Sequence, residues 1–457
     1  MMQESLLLIV DYNLSRIGDV AHLAHYARSA YDAGTVLVRS SPSEADTRLC
    51  DIVIDLDPLS PHFVEDALAA LAPLRKRLRA GLVFSDNAVQ SGASLLERLG
   101  LPVDSSRLAI AAYSKCEYRR KEAEVRELLE AQAMMVPDCA QVLGVEDVKR
   151  FASEHPAGFV IKPSCEGNNR GVVVVREGDC VEDAFRQVEP YLGNGVICEE
   201  FIPFSREFSF DGVGAVHFVT EKVSATGRYP VEVAQILPAR ITPSELATLT
   251  VAGRLANLLV GQRLGPFHNE IKLSDDGKCA AVVEPNRRPG GMKIWSIASA
   301  VFGVDFYARW VDTAFGSSRH FDVAPFGTQA ATVMLGVSHD RSFTPPSFDA
   351  GRALFECALA LAAAEQKLDS VTVRLLEFGW LFDVERFIPT VPGDNADFIA
   401  QACFAVDDPD ADMRHLVAAV RRHWLTLVDD ALASRELSAA VSTARPRLAV
   451  PTMTAAG

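Results

Sequence analysis

The chain has 457 residues, 49% of them hydrophobic and 8% aromatic, with a formal net charge of −15. That length allows roughly three domains, and the apolar content fills real cores, which excludes wholesale disorder. The acidic balance argues against a non-specific grip on nucleic acid or an anionic membrane surface, while leaving room for a local basic pocket.

The opening "MMQESLLLIVDYN" has no basic segment ahead of its apolar run and no small-residue cleavage signature. It reads as a first buried strand and not as a signal peptide. No stretch approaches about 18 continuous apolar residues, so no membrane span is expected. The nine cysteines are scattered and never form CxxC. This suits a reducing cytoplasm with buried thiols, and neither a disulfide framework nor a cysteine-held zinc is expected.

Short apolar runs at 6–10, 36–38, 52–56, 82–85 and 108–112 have helical patterns between some of them, such as "DVAHLAHYARSAYDAG" and "FVEDALAALAPLRKRLRAG". The alternation predicts a parallel sheet with covered faces. "DYNLSRIGD" stands where a GxGxxG would follow the first strand, so the dinucleotide fingerprint is absent. His22 and His25 share a helical pattern without a second ligand pair and read as helix surface or packing. A charged helix is expected at about 116–133.

After it the texture changes. "GFVIKPS", "GVVVVREG", "GVICEEFI", "REFSFDG" and "AVHFVTEKVS" are short strands between turn residues, a mainly antiparallel pattern. A helix at about 243–260 leads to "NEIKLSDDGKCAAVVEPN", two strands around the turn "SDDGK". From about 326 come strand-like "ATVMLGVS" and "SVTVRLLEF", helices near 348–365, 393–405 and 411–434, and a loop at "SHDRSFTPPSFDA". The last residues, "AVPTMTAAG", are expected to fray.

The chemistry gathers on that hairpin. Glu270 on one strand and Glu284 on the other can converge, and Asn286, two residues on, shares the face of Glu284. Two carboxylates and an amide oxygen are hard ligands, suited to a Mg²⁺ that also binds phosphates. A zinc site would want nitrogen or sulfur, and only His268 is near. A pair of solvated hairpin acids is the plainer alternative. Arg287 and Arg288 offer planar forks to phosphate or carboxylate. Gly290 and Gly291 then bring backbone N–H groups close to a ligand, ahead of a possible helix in "MKIWSIASAVFG".

Lys162 ends an apolar strand, where an ammonium needs a partner, and the loop 166–171 follows it. A loop with free N–H groups over a triphosphate explains both features; an ordinary hairpin with an edge lysine is the rival, and no GxxxxGK(S/T) is present. In "GVICEEFIPFSREFSFDG", Glu199 or Glu200 can accept from an exocyclic amine, Phe201 and Ile202 can wall a purine, and Glu207 can reach a ribose. Generic sheet acids explain these nearly as well. Lys115 could face phosphate or adenine, and His268 could hold a substrate or simply close a pocket. No GxSxG elbow and no cysteine nucleophile context appears.

Taken in order, "YSKCEYRR", "FVIKPSCEGNNRGV", "ICEEFIPFSREFSFDG" and "HNEIKL…VVEPNRRPGG" resemble the ATP-grasp superfamily, and within it the carboxylate–amine ligases, including the dipeptide-forming L-amino acid ligases. The likeness spans about residues 113–315. It implies an α/β fold of ATP-grasp type: a Rossmann-like pre-grasp domain at 1–112, small and large grasp subdomains at 113–195 and 196–325, and a C-terminal α+β extension at 326–457 packed on the grasp core. Matched motif by motif, Lys115 and Lys162 correspond to nucleotide-contacting lysines. Gly167, Asn168, Asn169 and Gly171 correspond to the phosphate-covering loop. Glu199, Glu200, Phe201 and Ile202 match the adenine-side connector and Glu207 the ribose-side acid. Glu270, Glu284 and Asn286 match the magnesium ligands, and Arg288 the arginine that stabilises the transferred phosphoryl group. The asparagine at Asn286 departs from several dipeptide ligases of this kind.

The implied reaction uses ATP and Mg²⁺, with Mn²⁺ a possible substitute, to make an acyl phosphate that an amine attacks, giving an amide, ADP and phosphate. Arg288, Lys162 and Gly291 would assist the transfer, while His268, Arg287 and Gly290 would face substrate. The implied partners are small-molecule acids and amines, with no nucleic acid and no membrane, and homodimerisation is plausible from the resemblance. The rivals are biotin-type carboxylation, acid–thiol ligation, and a nucleotide-binding regulatory protein with a dead site.

Overall fold

The computed structural model describes residues 5–13, 16–167, 170–225, 231–317, 323–369 and 372–433. Among these, no helix is long and apolar enough to cross a membrane. The expectations for Asn168, Asn169 and the fraying tail fall outside the described residues.

The N-terminal layer is a four-stranded parallel sheet in the order Ile52–Asp55, Ala33–Arg39, Ser5–Val10, Leu78–Val83. Its central strands are largely apolar and almost wholly buried because helices cover both faces, as the alternation predicts. The fifth apolar run differs. Ala109–Ala112 forms a short 3₁₀ turn, since three alanines among five residues give a strand little side chain to pack. The charged helix breaks at Val125 into Lys115–Glu124 and Arg126–Glu130.

Residues 139–200 build a four-stranded antiparallel sheet in the order Cys139–Val142, Val196–Glu200, Gly158–Pro163, Val173–Arg176. The strand Val196–Glu200 thus completes the small sheet. The large sheet has eight antiparallel strands. From the hairpin edge they run Ala280–Asn286, Pro266–Leu273, Arg206–Val213, Val216–Ser224, Glu232–Leu237, Gln329–Leu335, Ala400–Val406 and Val373–Trp380. The last three belong to the stretch after 326, so that region extends the large sheet and is not a separate layer laid on it. The strand Glu232–Leu237, unmarked in the sequence reading, makes the join.

The helix expected at 393–405 is a correction. Asn395–Asp397 is a 3₁₀ turn, and Ala400–Val406 is an interior strand. Its alanines favour a helix in isolation, but both neighbours offer ladder bonds and both faces are covered, so tertiary packing decides. The expected loop at 338–350 contains the short strand Arg341–Phe343, paired with Arg386–Ile388.

The helices Phe348–Glu365 and Met413–Ala433 close the C-terminal core over the sheet. Trp424 is wholly buried there against Phe355, Phe378 and Trp380, and its indole N–H donates to Gly336 O at 3.1 Å. Trp424→Ala is expected to cost about 3–5 kcal/mol, from the lost side chain and the cavity left behind. A urea denaturation series measures that loss.

Candidate active site

A cleft of about 860 Å³ opens where the small sheet, the large sheet and the N-terminal layer meet. Lys115, Lys162, Gly167, Glu199, Glu200, Phe201, Ile202, Glu207, His268, Glu270, Glu284, Asn286, Arg288 and Gly291 all line it. Three further expected residues, Gly171, Arg287 and Gly290, do not.

The hairpin explains why the acids meet. Its register sets Glu270 directly opposite Glu284 and His268 opposite Asn286. Neither carboxylate stands alone: Lys222 Nζ lies 2.8 Å from Glu270 Oε1, and Lys115 Nζ lies 2.7 Å from Glu284 Oε2. Burial pushes both acids up, but the lysines outweigh it, and both are held below the usual carboxylate range. Asn286 donates its amide to His268 O at 3.2 Å and Glu284 Oε1 at 3.3 Å, which leaves its oxygen as the amide's available acceptor. Among the described residues no trio of His, Cys, Asp or Glu is gathered for a metal. The donor set is instead two carboxylates and an amide, which fits a hard divalent cation better than zinc.

Behind the hairpin, buried Asp211 accepts from Ser209 Oγ at 2.6 Å, Thr220 Oγ1 at 2.8 Å and the His268 Nδ1 side at 2.7 Å. Burial alone would lower the His268 pKa. Asp211 and then Glu270 reverse that and raise it to about 9. Gly290 belongs to this packing: a Cβ there would lie 2.9 Å from His268 Nδ1 and 3.1 Å from Asp211 Oδ1. It lets the turn close on the Asp–His pair and does not itself line the cleft, where the resemblance implied a place facing substrate.

The two arginines part company. Arg288 faces the cleft, with Nε 2.6 Å from Asp86 Oδ2. Arg287 turns the other way and donates NH1 to Ser105 O at 2.7 Å and Val260 O at 3.3 Å. It bonds across the seam between residues 105 and 260 and does not line the cleft, where the resemblance implied a place facing substrate. Burial lowers its pKa, with nearby Asp104 offsetting part of the effect.

On the small sheet, Lys162 is buried, and its Nζ lies 3.0 Å from Glu199 Oε1. The other oxygen of Glu199 takes Arg119 Nε at 2.7 Å, and Arg119 also pairs with buried Glu122. Glu199 and Glu200 therefore differ in task. Glu199 anchors two buried cations, whereas Glu200, at the end of the strand, accepts from Asp138 N at 3.1 Å. Ile202 is buried and Phe201 exposed, so the purine wall expected from both has one firm side. Glu207 accepts from Ser224 Oγ at 2.5 Å and pairs with Lys272 Nζ at 3.1 Å. Lys115 also donates to Glu166 O at 2.7 Å, tying its helix to the loop beyond Lys162. Gly171 adopts φ +71°, and a Cβ there would sit 2.8 Å from Pro163 Cγ, so it shapes the loop without lining the cleft.

The sequence reading missed Lys222, Glu232, Gln235, Arg16 and Asp86, which also line the cleft, as do Met334, Leu381 and Gln401 of the C-terminal region. A signal for Lys222 was present: in Val216–Ser224 it shares the strand parity of Val216, Phe218 and Thr220, a lysine on an inward face. The others are joined only by tertiary structure.

Burial would raise the Glu199 pKa, yet Arg119 and Lys162 bring it down from 4.5 to about 2. Its contribution to stability is therefore present above the ordinary glutamate value and lost as pH falls toward about 2. Glu199→Gln is expected to cost about 3–5 kcal/mol at neutral pH, because two buried cations lose a shared anion. Its urea midpoint should also fall less steeply than the native one between pH 5 and 3. Equal acid slopes would contradict this account.

No family model matches the chain. Over 185 residues it is 29% identical to a pyruvate carboxylase of Pichia angusta, a span of 38% of this chain and 15% of that protein. Over 245 residues it is 25% identical to the alanine–anticapsin ligase of Bacillus subtilis, 48% of this chain and 50% of that one. The chain thus spans half or less of these relatives. An L-amino acid ligase structure from Bacillus licheniformis superposes with a TM-score of 0.69 at 16% identity, covering 93% of this chain and 98% of that one. A biotin carboxylase from Campylobacter jejuni gives 0.60 at 13%, covering 97% and 99%. With a parallel N-terminal sheet, a small and a large antiparallel sheet and a charged cleft between them, the chain has the ATP-grasp fold.

Proposed function

We propose that this chain is an ATP-dependent carboxylate–amine ligase, joining an amino acid or related acid to an amine or amino acid through an acyl phosphate and working in the cytoplasm. The observation that carries the reading is the convergence of Lys115, Lys162, Glu270, Glu284, Asn286 and Arg288 on one cleft. Cations suited to phosphate and oxygen donors suited to magnesium there stand within reach of a single ligand. The likeness to an alanine–anticapsin ligase and to an L-amino acid ligase structure supports the direction of the chemistry.

In this reading ATP lies with its purine against Ile202 and the Val196–Glu200 strand, its ribose toward Glu207, and its phosphates between Lys115, Lys162 and the loop at Gly167. Glu270, Glu284 and Asn286 would hold Mg²⁺, with Mn²⁺ a possible substitute; bound there, it supplies charge neutralisation between phosphate groups. A carboxylate oxygen of the first substrate attacks the γ-phosphorus and ADP leaves. The amine then attacks the acyl carbon, the C–O bond to phosphate breaks, and an amide and inorganic phosphate result. The lysines that now neutralise the acids gain phosphate partners when nucleotide arrives. Lys162 is suited to this. Burial lowers its pKa, Glu199 opposes that fall, and further negative charge beside it is favourable. Arg288 exchanges Asp86 for the transferring phosphoryl group, and Gly291 lines the same cleft.

Carboxylation is the second reading, favoured by the likeness to a pyruvate carboxylase and a biotin carboxylase structure. A homodimer is proposed by analogy with relatives alone.

Phosphate release from Mg-ATP against amino acids singly and in pairs, with product masses, tests both readings. Release that requires two substrates, with a product equal to both minus water, supports ligation. Release that requires bicarbonate and biotin supports carboxylation and defeats it. Lys162→Ala and Glu284→Gln should each lower kcat by roughly 10²–10³-fold. Native-like rates in both variants would refute the assignment of this cleft.

A further inference from the structure

We propose that Arg16, a residue of the N-terminal layer, is a positioning residue for the turn that presents Arg288 and Gly291. The inference rests on the ligase reading for its effect on turnover, but its geometry is independent of it. The turn leaves the strand Ala280–Asn286 and must re-enter the helix Ile294–Phe302 within a few residues. It does so through two consecutive non-glycine residues with left-handed backbone, Met292 at φ 48° and Lys293 at φ 59°. L-residues disfavour this conformation, and it persists only where the surroundings over-determine it.

The surroundings come from elsewhere in the chain. Arg16 NH1 donates to Pro289 O at 3.3 Å and to Gly290 O at 3.1 Å. Pro289 O also accepts from Arg288 NH1 at 3.2 Å, so the two arginines share one carbonyl. Arg16 is itself immobilised. Its Nε pairs with Asp19, and its guanidinium carbon lies 4.9 Å from the Phe84 ring centroid. The same Asp19, buried, reaches the far end of the turn, where Lys293 Nζ lies 3.6 Å away. Lys293 also pairs with Glu377 at 3.3 Å, on the strand Val373–Trp380 of the C-terminal region. One buried carboxylate thus braces both ends of the turn, through Arg16 at 289–290 and through Lys293 at 293.

Arg16 suits this task because a planar guanidinium can serve a carboxylate and two carbonyls at once, whereas a lysine ammonium on a flexible stem does not hold the same fork. Misplacing Arg288 and Gly291 would harm transfer to the acid and retention of the acyl phosphate more than nucleotide capture, which uses lysines on the other side of the cleft.

The test uses the full chain with Arg16→Lys, Arg16→Gln and Asp19→Asn. Hydrogen exchange in the ADP-bound protein reads peptides across 288–296, and kinetics read kcat, the KM for Mg-ATP and phosphate released per amide. In the Arg16 variants the 288–296 amides should exchange faster than native while those around Lys162 do not. The kcat should fall by roughly a hundredfold, with the KM for Mg-ATP changed less than about threefold. More than one phosphate should be released per amide. Asp19→Asn should move every readout in the same direction. Unchanged exchange, an unchanged kcat, or a loss expressed mainly in KM for Mg-ATP would each overturn the proposal. A native protein that couples no acid–amine pair would defeat the ligase reading instead, and the exchange measurement would still decide whether Arg16 holds the turn.

Discussion

Two carboxylates set directly across from each other on a hairpin repel, and most of the site follows from relieving that repulsion. Glu270 and Glu284 occupy such a pair, and each takes its lysine from a different strand or helix. Lys222 arrives from the neighbouring part of the large sheet, Lys115 from the helix that leads into the small one. The repulsion across the hairpin is thus relieved by one cation from the large sheet and one from the helix. A site whose acids already hold cations is a low-cost receiver of another cation, provided the lysines have an anion to move to.

The same exchange logic runs through the rest of the cleft. Asp86 holds Arg288, Glu199 holds Lys162 and Arg119, and Asp211 holds His268. In each case an internal carboxylate pairs with a cationic or imidazole group of the cleft and orients it, which in the proposed reading leaves little reorganisation for ligand binding. The partners divide by depth. Glu199 and Asp211 are buried, whereas Asp86 is partly exposed at the cleft.

Much of this was legible in the sequence because it depends on short-range spacing. The hairpin acids were readable from strand parity and a turn signal, and so was Lys162 at the end of an apolar strand. Parity also separates Arg287 from Arg288, although the sequence reading gave both a place at the ligand, Arg288 at the phosphoryl group and Arg287 at substrate. The helix expected at 393–405 failed for a different reason. Alanine-rich local preference pointed one way, and two waiting sheet neighbours pointed the other. Lys222, Arg16 and Asp86 were illegible as a group, since no local pattern brings residues that far apart in the chain into one cleft.

The large sheet is not assembled in chain order. Glu232–Leu237 pairs on one side with the strand just before it, but on the other with Gln329–Leu335. That second neighbour in turn needs Ala400–Val406, which is made after the strand lying outside it, Val373–Trp380. During synthesis the free edge of Glu232–Leu237 must therefore wait, unpaired by its native neighbour, while about a fifth of the chain emerges. An interval of that kind leaves apolar surface exposed in the nascent chain, the condition under which misassembly competes with folding.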